Sequence, residues 1–352
     1  VELRSASPEL RAALEKEAAD YSKGYKVRIT FLAPRDGKAA PGRPDLVIGW
    51  DFFGSGKGDV PIAARELASV PYGTAEAFGK DARGAGGWDE VPLLWDAWGI
   101  ASAPAATAAA DKPRSAQGVY WADRAAYRRS GLSLIGPGAE SGLRQALFWA
   151  PADGSDRASM YSLALDGRLE AGKRLFESFS ALDRDAALAK DALRLTRADL
   201  SAVAANPSGF AWLGSYSWAR KAVPTSRLDF KPLAIAAKGG YTLPASVLAG
   251  AVASKGRSSE AAKRFLLQLC EPEAQRRLGE ATGLMAANFN APNLDPNSFA
   301  ARESAIGASG IVTIDPEPIP GSRAAGFDSL LGAIAARPGE WERALAESEQ
   351  HR

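Results

Sequence analysis

The chain has 352 residues, 46% of them hydrophobic and 24% charged, an ordinary globular mix that excludes disorder, collagen and coiled coil. One hydrophobic core rarely grows past roughly 250–300 residues, so two lobes are expected. The 43 Lys+Arg against 41 Asp+Glu leave a net charge of +2, which is no footprint for nucleic acid or an anionic membrane.

Val1–Leu3 reads as a short strand. Ser7-Pro8 has the form of an N-cap followed by Pro at the first helical position. Leu10, Ala13, Leu14, Ala18 and Tyr21 recur at helical spacing, so residues 8–22 are expected as an amphipathic helix. Lys26–Phe31 alternates and is β-branched, the pattern of a strand. Pro34–Pro44 is a loop and Leu46–Gly49 a buried strand. The order β-α-β-loop-β implies an α/β sheet with parallel pairs. Gly54, Gly56 and Gly58 form a flexible exit rather than a phosphate loop. Asp51 stands where that loop needs Gly, Gly58 replaces its Ser/Thr, and Asp59 spoils a dinucleotide fingerprint.

Val91–Gly99 is an apolar run broken by one acid and reads as a central strand. Residues 101–117 read as surface loop or short helix. Val119–Trp121 is a short strand and Asp123–Ser130 a short helix stopped by Gly131. Helical pattern starts at Leu143–Trp149 and runs from Leu163 to Leu200. Ala245–Val252 is a strand. Ser258 or Ser259 then caps a helix with Ala262, Leu266, Leu269 and Cys270 on one face, ended by Pro272. Glu273–Gly279 continues as a second helix, and a last one covers about 340–350. No internal repeat is present.

A single Cys excludes an intrachain disulfide and a Cys-rich metal site; Cys270 reads as a small core hydrophobe. The single His, His351, is the penultimate residue, which argues against His-dependent catalysis and zinc chemistry. No apolar run of 18 residues exists to span a membrane. A first residue of Val rather than Met is expected of a processed chain. Nine Trp stand against eight Tyr and thirteen Phe, and several Trp follow short apolar runs where strands should end.

Four stretches resemble the family-1 extracellular solute-binding proteins of ABC importers, the group of the maltodextrin-binding proteins. They are Pro44–Asp51, Val91–Gly99, Val119–Asp123 with Tyr127–Leu132, and a long segment. That segment comprises Ser258–Leu266, Glu271–Gln275 and Ala281–Asn288. Their order covers nearly the whole chain. Two departures are a longer stretch between Trp98 and Val119 and Asp123 where the family commonly has Asn. The resemblance implies a type II periplasmic binding fold, two α/β lobes joined by crossover strands at a hinge. Carried onto this chain, the N-terminal lobe is 1–97 plus 250–292 and the C-terminal lobe 98–249 plus 293–352. It further implies a small solute, a carbohydrate first of all, bound between the lobes and delivered to an ABC permease. A monomer is expected, outside the cytoplasmic membrane, free in the periplasm or lipid-anchored, with no cofactor, no metal and no catalysis.

A sugar ring has an apolar C–H face and a rim of hydroxyls. Flat aromatic surface suits the face, and carboxylates suit the rim through charge-assisted hydrogen bonds. Trp50-Asp51, Trp95-Asp96 with Trp98, and Tyr216 with Trp218 place that combination at strand ends. The resemblance assigns ligand contacts to these three places, Gly214–Trp218 matching a G-x-W-x-W segment with Tyr216 for the first Trp. Trp121, Arg144 and Trp149 complete the candidate set. Each has a plainer reading: lobe core for Trp95, Trp98, Trp121 and Trp149, caps or turns for Asp51 and Asp96, a surface ion pair for Arg144. Rival readings are a polyamine, organic acid or other polar solute in the same fold, and a glycosidase with two carboxylates.

Overall fold

The computed structural model describes residues 1–4, 7–32, 44–50, 60–67, 74, 77–78, 83–84, 87–102, 119–120, 133–134, 205, 211–223, 228–237, 240–253, 258–292, 295–313, 340, 342–343 and 346. The expected glycine-rich exit at 54–58, the helix over 123–130, the helical stretches at 143–149 and 163–200, and most of the 340–350 helix lie outside them. In chain order the elements are β1 (Glu2–Leu3), α1 (Pro8–Tyr25), β2 (Leu46–Gly49), a 3-10 helix (Ala64–Leu67), β3 (Arg83–Gly84) and β4 (Gly87–Trp88). Next come β5 (Val91–Ser102), β6 (Val119–Tyr120), β7 (Ser133–Leu134), β8 (Ala211–Ser215), α2 (Tyr216–Ala222), β9 (Asp229–Ala237) and β10 (Gly240–Val252). The last are α3 (Ser259–Leu269), α4 (Pro272–Thr282), β11 (Met285–Ala286), α5 (Pro296–Gly307) and β12 (Gly310–Thr313).

The chain divides into two compact units. Val1–Asp96 and Ala245–Asp315 form the first; Ala97–Pro244 and Pro316–Arg352 form the second. The family resemblance implies changes of unit after residues 97, 249 and 292. The last differs most, and α5 explains it. Arg302 on that helix donates Nη1 to the carbonyls of Phe289 and Ala291, both at 3.2 Å, and its guanidinium lies 5.5 Å from the Phe289 ring centre. Residues 293–315 thus stay with the first unit.

In the first unit, α1 begins as its sequence predicts. The Ser7 hydroxyl accepts from the Leu10 amide at 3.2 Å, and Leu10, Leu14, Ala18 and Tyr21 are buried. The helix ends later than expected, because Lys26 takes the left-handed cap conformation at φ 55° and donates its amide to Ser22. That use of Lys26 removes the expected strand over Lys26–Phe31. Residues 27–32 join no ladder and bond instead to Val1, from the Val1 nitrogen to Thr30 O at 2.8 Å and from Leu32 N to Val1 O at 2.9 Å.

The sheet of this unit is built on β10, which runs antiparallel to both β2 and β5. Ala249 faces Gly49 on one side and Pro92 on the other. The register slips between Leu248 and Ala249, beside Pro92. A bulge tolerates proline because no ladder N–H is required of it. β11 closes the other edge of β5, with Met285 opposite Trp95. β1 pairs with β2 in parallel. α3 packs against this sheet so closely that a Cβ on Gly250 would run into Leu266 Cδ1. Ser258 takes the N-cap position of α3 without a side-chain cap bond, and Cys270 closes the helix, its thiol donating to Leu266 O at 3.1 Å. Pro272 both stops α3 and opens α4, which ends on Gly283 at φ 80°.

In the second unit, the latter half of β5 lies between β8 and β9, antiparallel to both. Trp98 faces Ser215, and Gly99 faces Gly214 and Pro232. β9 and β10 form a hairpin, with Ala237 opposite Gly240. β6 pairs with β9 and β7 with β8, both in parallel. At Gly99 the backbones meet so tightly that a Cβ would collide with the carbonyl of Lys231 and the ring of Phe230.

Candidate functional site

β5 carries three of the ten candidates. Strand geometry sends successive side chains to opposite faces, so Trp95 points away from Asp96 and Trp98. Trp95 is fully enclosed in the first unit. Its indole donates to Ala286 O at 3.2 Å, and its ring meets Phe78 edge-on at 5.6 Å. No ring surface is left for a ligand, so the plainer core reading of Trp95 is the one that fits. Asp96, opposite Ser246, is 7% exposed. Trp98 is 4% exposed.

The strand end expected at Tyr216 and Trp218 is corrected. β8 stops at Ser215, whose hydroxyl stands 3.5 Å from the amide of Trp218, and α2 begins at Tyr216. Two residues apart on a strand share a face, whereas on a helix they lie about 200° apart. Tyr216 therefore turns inward, fully buried, with its ring edge-on to Phe230 at 5.3 Å. Trp218 turns the other way and is half-buried. The Tyr216 ring, like Trp95, belongs to the packing of its unit.

Trp98 and Trp218 are brought together. Their ring centres are 5.5 Å apart at an interplanar angle of 70°, an edge-to-face pair. The buried hydroxyls of Ser215, which faces Trp98 in the ladder, and of Ser217 stand 3.3 Å apart. Neither serine was among the sequence candidates. Ser215 could have been found as the Ser that precedes a short helix. Trp50 is half-buried at the end of β2. Asp51, Trp121, Arg144 and Trp149 lie outside the described residues.

Among the described residues no group of three or more His, Cys, Asp or Glu is placed to hold a metal ion, and no helix is long and apolar enough to cross a membrane. The first unit supplies a half-buried ring at Trp50 and a buried carboxylate at Asp96, and the second a half-buried ring at Trp218.

No family model matches the chain, and no curated protein matches it. Solved structures do. The binding protein MsmE of Bacillus subtilis, in an open conformation, matches 99% of this chain and 96% of its own at 14% identity, with a TM-score of 0.72. The bacterial solute receptor AcbH covers 99% and 97% at 15% identity, with a TM-score of 0.70. The solute-binding protein RafE in complex with raffinose covers 99% and 97% at 15% identity, with a TM-score of 0.64. The chain thus has the α/β fold of the periplasmic solute-binding proteins, as the four sequence stretches imply.

Proposed function

We propose that the protein is the substrate-binding component of an ABC importer and captures a carbohydrate. The observation that carries this is the match of nearly the whole chain to solute receptors. Among these, RafE is seen with raffinose, AcbH has an exclusive preference for β-D-galactopyranose, and a Bacillus licheniformis sugar transporter is seen with stachyose. The half-buried ring of Trp218 supports it, because an aromatic face is what the C–H side of a sugar ring packs on.

In this reading the protein acts outside the cytoplasmic membrane as a monomer and hands its solute to a permease without chemical change. Trp50, Asp51, Asp96, Trp98, Trp121, Arg144, Trp149 and Trp218 are the proposed ligand contacts. Binding favours the ligand-competent conformation by its differential affinity for that state.

Isothermal calorimetry with D-galactose, raffinose and stachyose tests the proposal. Saturable heat with one of them is expected. Binding of a polyamine or an organic acid, with no heat from any sugar, overturns the carbohydrate assignment. Turnover of an aryl glycoside overturns the receptor assignment.

A further inference from the structure

The indole N–H of Trp98 is sealed from solvent, and among the described residues it has no hydrogen-bond acceptor. Such a group is uncommon in a folded protein, because nearly every buried donor finds a partner. An indole nitrogen can only donate and is fixed in the ring plane, so it cannot adapt as a hydroxyl can. The comparison within the same strand is direct. Trp95, three residues earlier, spends the same N–H on Ala286 O. Thr242 Oγ1 also lacks a partner in the second unit, but a hydroxyl rotates and both donates and accepts.

The neighbour across Trp98 is the ring of Trp218, at 70° and 5.5 Å. That ring is half-buried, on the outward side of a helix of seven residues. It is the more exposed member of the pair, since Trp98 is enclosed and its strand β5 is laddered to Ser215.

We infer that Trp98 is a donor to the ligand rather than a stacking surface: its N–H is taken by a hydroxyl or ring oxygen of the bound carbohydrate once the Trp218 ring turns aside. The two indoles then divide the work, Trp218 covering the C–H face and Trp98 reading an oxygen. A donor left unmade in the free protein and made in the complex favours the complex, because it has no competing bond to break. This inference rests on the carbohydrate-receptor reading.

The test is Trp98→Phe in the full chain, which keeps an aromatic ring and removes the N–H. Calorimetry with raffinose and D-galactose is expected to show at least tenfold weaker binding, while the melting temperature of the ligand-free variant is not lowered. In parallel, the ¹⁵N-indole spectrum of the wild type, assigned by triple resonance, is expected to show the Trp98 resonance shifting on saturation with the sugar that binds. This second measurement stands even where the variant misfolds. Sugar binding by wild type with unchanged affinity in Trp98→Phe, or an unmoved Trp98 resonance, overturns this inference alone. Absence of binding by wild type to either sugar overturns it together with the reading beneath it.

Discussion

Arg277 on α4 grips Glu17 on α1 through two parallel bonds, Nε to Oε1 at 2.7 Å and Nη2 to Oε2 at 2.8 Å. The residues lie 260 positions apart, and Glu17 is 6% exposed. The bonds to Glu17 push the Arg277 pKa up. A planar fork meeting a carboxylate is a geometry that lysine cannot copy. Arg277→Lys and Glu17→Gln are each expected to cost about 1–3 kcal/mol of stability. Urea unfolding of both and of the double variant checks this, the expected sign being a double-variant loss smaller than the sum of the two.

Tyr216 and Trp218 separate packing from recognition. Tyr216→Ala empties a fully enclosed site and is expected to lower stability by about 3–5 kcal/mol. Trp218→Ala removes a half-buried ring, so it is expected to change the melting point little while weakening sugar binding by about 1–3 kcal/mol. Thermal melts with calorimetry on both variants decide. Wild-type affinity in Trp218→Ala removes it from the ligand contacts.

Cys270 is expected to be chemically silent in the native state. It is 1% exposed, its thiol donates to Leu266 O, and burial pushes its pKa up, with the charge of Glu271 adding to that. The thiolate is the reactive form. Titration with an aromatic disulfide reagent should show no reaction at neutral pH, then one thiol per chain in denaturant. Rapid native labelling would place this helix end in an opening motion.

Glu66 gives an acid-sensitive joint. Lys263 pairs with it, and the Ala63 amide donates to it at 3.0 Å. The hydrogen bond from Lys263 holds its pKa below the ordinary 4.5. A depressed folded-state pKa means a stabilisation fully present above 4.5 and lost as pH falls through the lower, folded value. Lys263→Met is therefore expected to flatten the loss of stability below pH 4.5 and to leave the pH dependence above it unchanged. Melting points measured at closely spaced pH values from 3 to 6 read this directly.

The first helix, the buried strands around 46–49 and 91–99, and the α3–α4 pair were legible because local signals and burial agree there. Ser7-Pro8 caps what it promises to cap, and Leu266 and Leu269 face inward. The strand expected at Lys26–Phe31 failed where a helix stop claimed its first residue, a competition that alternation alone does not register. β9 was missed because Pro232 reads as punctuation, yet it sits in the ladder opposite Gly99. α5 was missed although Asp295-Pro296 carries the same signature as Ser7-Pro8, with the Asp295 carboxylate accepting from the Ser298 amide at 3.0 Å. In the site, the tryptophans were visible as a class. Their roles were not, because a change from strand to helix at Tyr216 rotates one ring inward and leaves the other out.

β10 has a consequence for how the polypeptide is made. It is the shared neighbour of β2 and β5, yet it leaves the ribosome some 150 residues after β5 begins, at synthesis rates of roughly 5–20 residues per second. Until then the nascent amino-terminal portion has two apolar ribbons with no middle, so that portion waits while the inserted stretch, Ala97 onward, is already being translated. A ribosome stalled before Ala245 would hold a half-sheet whose open edges are a target for chaperones.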